Sequence, residues 1–115
     1  MGLDTYAYDA IAMKPMKDEL FGHVPQVLCG GMFSGNGGSS SFRGKVYAGY
    51  VQAVTGVSLY QEEIPNQIVK QMAELLAKPN GYIAFNHGVD TDEANALTLW
   101  FKVVADNNGI VVGWW

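Results

Sequence analysis

The residues with the clearest capacity for chemistry surround a glycine- and serine-rich stretch, GGMFSGNGGSSS at 30–41, followed at once by Arg43 and Lys45. Backbone N–H groups of such a loop, where it opens onto a helix, bind phosphate and other small anions. The nucleotide signatures nevertheless fail. Counting back from Gly44-Lys45, a P-loop needs Gly where Ser39 stands, and Val46 replaces the hydroxyl that would ligate Mg²⁺. Gly35 and Gly37 begin a dinucleotide-type pattern, but Ser40 occupies its third glycine position. A generic anion site at a helix start remains, built from Ser39, Ser40, Ser41, Arg43 and Lys45. The plainer reading is a connector whose serines cap the helix and whose cations are solvated.

Cys29 is the single cysteine. With His23 or His87 it would form a nucleophile and base. Its place after Val27-Leu28 suits a small buried hydrophobe better. One cysteine excludes an intramolecular disulfide and fits a reducing compartment. His87, Asp90, Asp92 and Glu93 are a local set of metal-capable groups, but their spacing matches neither an EF-hand loop nor a zinc helix motif. Asp90 and Glu93 are already explained as a helix start, so no metal and no cofactor is expected. The adjacent pairs Asp18-Glu19 and Glu62-Glu63 point different ways on a helix and read as solvated carboxylates.

The aromatic residues are the least ordinary feature. Trp and Tyr are enriched at interface hot spots because one end is apolar and the other hydrogen-bonds. Trp100 and Tyr50 lie on helical stripes and are expected in the core. Trp114 and Trp115 close a strand-like run, IVVGWW, where neighbours face opposite sides of a sheet. One small sheet does not readily bury both. Tyr6, Tyr8, Trp114 and Trp115 are therefore the candidate interface residues.

The bulk composition agrees with a packed chain that has little charge to spare. Charged residues make up 16% and hydrophobic ones 49% of 115 residues, where an ordinary domain is about a quarter charged. A net charge of -4 with seven scattered cations makes nucleic acid an unlikely partner, since that affinity rests on clustered Lys and Arg. Asp4 and Asp9 near the N-terminus, with no early cation, argue against a signal peptide. No apolar run reaches the ~18 residues of a spanning helix. The expectation is a single domain, 1–115, in the cytoplasm and away from membranes.

The elements that must position these residues follow from periodicity. Residues 3–12 alternate in period two and predict a strand, with Leu3, Thr5 and Ala7 on one face. Residues 16–29 are ambiguous because Gly22 and Pro25 oppose any long element. From Ser41 a helix is predicted, its stripe Val46, Tyr47, Tyr50, Val51 and Val54, its end a left-handed cap at Gly56. Ser58 and Gln61 have the spacing of a capping box, so a short turn is expected to start there. Pro65 opens a second helix with Ile68, Val69, Met72, Leu75 and Leu76 buried, and Pro79-Asn80-Gly81 ends it. GYIAFN at 81–86 reads as a short strand. A third helix follows from Asp90, apolar on nearly every side, and then a last strand over 110–115. The sum is an α+β fold: a small, mostly antiparallel sheet packed on about three helices, with the first and last strands as neighbours.

The opening Met1-Gly2-Leu3-Asp4, with SFRGKVY at 41–47 and TGVSLYQE at 55–62, resembles the small uncharacterised proteins of tailed phages, cyanophages among them. The resemblance implies a phage or bacterial cytoplasmic setting, that of the host cell if phage-encoded. It carries no activity and no site residue. With no convergent polar constellation legible, the expected function is a non-enzymatic protein-interaction module that self-associates into a homo-oligomer. The alternative is a small-ligand or anion-binding protein, or a small enzyme, using the 30–45 loop and the helix start after it.

Overall fold

A computed structural model describes residues 3–28 and 40–115. Its sheet is organised by the first strand, β1 (Asp4–Asp9), whose period-two pattern sends Leu3, Thr5 and Ala7 inward, all fully buried. The last strand, β4 (Gly109–Trp114), pairs antiparallel with the whole of β1, with Tyr6 opposite Val112 and Tyr8 opposite Ile110. Two short strands share β1's other edge. β3 (Ser41–Arg43) lies beside Asp4–Tyr6, and β2 (Lys14–Pro15) beside Tyr8–Asp9. The first and last strands are thus neighbours, as the sequence predicts. The turn from β1 to β2 is held by the Asp9 carboxylate, which accepts from the N–H groups of Ile11 (2.8 Å) and Ala12 (3.1 Å).

The helices complete an α+β fold. α1 (Gly44–Thr55) carries the predicted stripe and ends at Gly56, whose φ of 74° supplies the left-handed cap. α2 spans Asn66–Leu76, and α4 spans Thr91–Asp106 with seven buried residues on its faces. Trp100 of α4 is the centre of the core. It meets Phe42 edge-on (centroids 4.8 Å apart) and contacts Phe101 (5.0 Å) and Phe21 (5.8 Å). Phe21 sits in a 3-10 turn, Asp18–Phe21, within the stretch that the sequence leaves ambiguous.

Two local readings of the sequence are corrected. GYIAFN is not a strand but a short helix, α3 (Gly81–Asn86), which makes four helices rather than three among the described residues. Both edges of β1 are occupied and the outer edge of β4 is covered, and this segment pairs with no strand among the described residues. It closes its hydrogen bonds locally instead, with the Ala84 N–H on the Asn80 carbonyl and the Val89 N–H on the Ala84 carbonyl. Second, Ser41–Arg43 is a strand, and α1 begins only at Gly44. Pairing opposite Thr5 delivers Phe42 to the core. The short turn expected at Ser58 and Gln61 is present, with the Gln61 amide donating to the Ser58 carbonyl at 2.9 Å. Ser58 accepts the Tyr60 N–H in a local turn, and the chain then runs along β4. There Ile64 bridges Val111 through both backbone groups, and the Gln61 carbonyl accepts the Gly113 N–H at 3.0 Å.

Candidate functional site

Pleat alternation in three paired strands builds the site. If Thr5, Phe42 and Gly113 face inward as one row, then the flanking rows face outward. Those rows are Arg43–Asp4–Trp114, Ser41–Tyr6–Val112 and Pro15–Tyr8–Ile110. On this face Asp4 and Ile110 are buried, Tyr6, Tyr8 and Val112 are half-buried, and Trp114 is exposed. Tyr6, Tyr8, Pro15, Glu62, Val112 and Trp114 line a groove of about 420 Å³ on it. Trp114 is 60% exposed at one end of the groove, and Glu62 flanks it from the segment beside β4.

Glu62 supplies a charge at the groove's edge, and Tyr6 is the lining group whose titration is shifted. Burial, then the charge of Asp4 and a smaller effect of Tyr8, push its phenol up to about 12. Tyr6 is therefore neutral at any physiological pH and presents an apolar ring with a polar tip. Trp115 goes elsewhere. It stacks edge-on against Tyr60 at 5.7 Å and does not line the groove. Of the four predicted interface residues, the structure thus brings Tyr6, Tyr8 and Trp114 together and separates Trp115.

The residues of the predicted anion site are spread over three elements. Ser39 lies outside the described residues, as do Cys29 and the glycine stretch through 38. The Ser40 N–H donates to the Asp18 carboxylate (3.2 Å), and its carbonyl accepts from Ala7 (2.8 Å). Ser41 is a strand residue opposite Tyr6, and Arg43 stands opposite Asp4 on the outer sheet face. Lys45 leaves on α1, its N–H directed at the Leu3 carbonyl (3.4 Å). The start of α1 is pressed onto the sheet: a Cβ at Gly44 would collide with the Thr5 hydroxyl and the Leu3 side chain. Its helix terminus faces protein.

His23 and His87 are both exposed. A Cβ at Gly49 would stand 3.2 Å from His87 Nδ1, so the imidazole lies over Gly49, which accounts for a glycine inside α1. Asp90 and Glu93 form a reciprocal capping box, with Asp90 Oδ1 on the Glu93 N–H at 2.8 Å. The other Glu93 oxygen accepts the buried Tyr47 hydroxyl at 2.6 Å and ties α1 to α4. Among the described residues no three of His, Cys, Asp and Glu gather into a metal-sized cluster. No helix is long and apolar enough to cross a membrane.

One cavity was not legible in the sequence. About 510 Å³ opens between the end of α2, α3 and the start of α4, with Tyr50, Asn80, Phe85 and Thr98 among its walls. Reading 81–86 as a strand concealed it, because only the helical form places Phe85 at its mouth. Comparison of the chain with protein-family models, with curated proteins and with solved structures found no match.

Proposed function

We propose that this protein is a self-associating protein-interaction module whose contact surface is the outer face of the sheet. The resemblance to small tailed-phage proteins suggests a phage or bacterial cytoplasm as its setting. The observation that carries the reading is the convergence of Tyr6, Tyr8, Val112 and Trp114, from two neighbouring strands, on one groove. Aromatic side chains with a polar tip, gathered in a concave site, are what dominates association energy at interfaces.

Charge favours a second copy of the chain as the occupant. Arg43 marks the β3 edge of this face, and Glu62 marks the edge beyond β4. A two-fold axis parallel to the strands lays one edge over the opposite edge of the partner. Arg43 of each copy then meets Glu62 of the other across a central aromatic contact, as an isologous interface requires. Two sheets stacked in this way pack nearly aligned.

Light scattering coupled to gel filtration tests the reading. At high micromolar concentration the expected mass is about twice the 12.5 kDa of one chain. Trp114→Ser is expected to return it to the monomer. Arg43→Glu weakens the dimer by like-charge contact, and adding Glu62→Arg restores it. A wild-type monomer at that concentration overturns the proposal, and so does a charge swap that restores nothing.

A further inference from the structure

The cavity between α2, α3 and α4 carries a second inference. Tyr50 is 2% exposed, and its ring forms part of the cavity wall. Among the described residues its hydroxyl has no hydrogen-bond partner, yet it is not among the fully enclosed orphaned atoms. Tyr50 is one of the residues that line the cavity. Burial also pushes this phenol above its ordinary value, so it remains a donor. A buried donor left without a protein partner costs stability and awaits an acceptor from outside.

Asn80 supplies the complementary group. Its amide nitrogen is committed to the carbonyls of Leu75, Leu76 and Lys78 at the end of α2 (2.6–3.4 Å). Its carbonyl oxygen is left as an acceptor. Phe85 stands at the mouth with 81% of its surface exposed, a large apolar ring held outward by a six-residue helix. Such a ring stacks on a planar partner. The carbonyl end of α2 and the Asp90 carboxylate line the same space, and Lys78 and the start of α4 offset them, so the lining is balanced in charge and favours a neutral ligand.

We propose that this cavity binds a neutral planar heterocycle with a hydrogen-bonding edge, of the nucleobase or nucleoside class. Phe85 stacks on the ring, the Tyr50 hydroxyl donates to a ring acceptor, and Asn80 Oδ1 accepts from an amino group. A volume of about 510 Å³ lies within the range of small-molecule sites. This site lies on helices away from the outer sheet face, so it stands or falls apart from self-association.

The test is an amide-resolved NMR titration of the full chain with adenosine, repeated with AMP and with ribose. Adenosine is expected to shift residues 81–86 and 91–95, AMP to bind no more tightly, and ribose to shift nothing. Tyr50→Phe keeps the ring and removes only the hydroxyl, so the fold persists, and affinity for adenosine falls about 2- to 10-fold. Phe85→Ala, at an exposed position, weakens it further without altering the melting temperature. Adenosine leaving these amides unmoved up to its solubility limit overturns the proposal. So does binding that both variants leave intact, or AMP binding more tightly than adenosine.

Discussion

At the scale of single residues, two groups report directly on how the sheet packs. The Thr5 hydroxyl is fully buried and has no hydrogen-bond partner among the described residues. It lies against Gly44, where any side chain would collide with it. An unsatisfied buried hydroxyl costs about 1–3 kcal/mol, and a near-isosteric apolar replacement relieves that cost. Thr5→Val is therefore expected to raise the melting temperature by a few degrees in scanning calorimetry, whereas Gly44 tolerates no such exchange. Tyr6 makes stability fall at high pH. Its folded value of about 12 lies above the ordinary 10.0, so in the window between them the unfolded chain loses the proton first. The stabilisation is complete below about pH 10 and is lost as pH rises through about 12. Chemical denaturation across that window should show a steeper decline for the wild type than for Tyr6→Phe.

At the scale of elements, α4 depends on its first turn. Asp90 caps the Glu93 N–H, Glu93 returns to the Asp90 N–H at 3.3 Å, and the second Glu93 oxygen holds Tyr47 of α1. One acidic pair thereby fixes where the most buried helix begins and how it meets its neighbour. Asp90→Ala is expected to cost ~1 kcal/mol in urea denaturation, the usual worth of an N-cap, with Asp90→Asn retaining most of it. The α3 segment shows the opposite dependence. Tyr82, Ile83 and Phe85 have the composition of a strand, and β-propensity is a statement about having a pleated neighbour to pack on. Among the described residues no strand pairs with this segment; it coils and leaves Tyr82 and Phe85 each 81% exposed. Nothing in six residues taken alone distinguishes these outcomes.

At the scale of the whole molecule, the segment beside β4 decides which surfaces are left for partners. By taking the N–H groups of Val111 and Gly113, Ile64 and Gln61 cover an edge that would otherwise invite strand addition. Gly113 is indispensable there, since a Cβ would stand 2.6 Å from the Gln61 carbonyl and 2.7 Å from that of Leu59. With that edge closed, association through this end of the sheet must use its face, which is where Tyr6, Tyr8 and Trp114 gather. The low charge fraction acquires a location in the same way. The charge-poor last strand has one row in the core and the other on the groove.

Much of this protein could be read from the sequence because it rests on local rules. Alternation at Leu3, Thr5 and Ala7, the left-handed glycine at 56, the capping pair at 90 and 93, and the apolar stripes of α1, α2 and α4 each follow from backbone geometry within a few residues. The candidate groove was half legible: alternation separates Trp114 from Trp115 and sets Tyr6 and Tyr8 on one face, but it does not say that both belong beside Val112. That required the pairing of β1 with β4, a contact between residues about a hundred positions apart. The same holds for the strand at Ser41–Arg43, the cover at Gln61–Ile64, and the cavity at Tyr50 and Phe85. Each exists because a distant partner offers, or no longer offers, hydrogen bonds and apolar surface, and those are properties of the assembled chain.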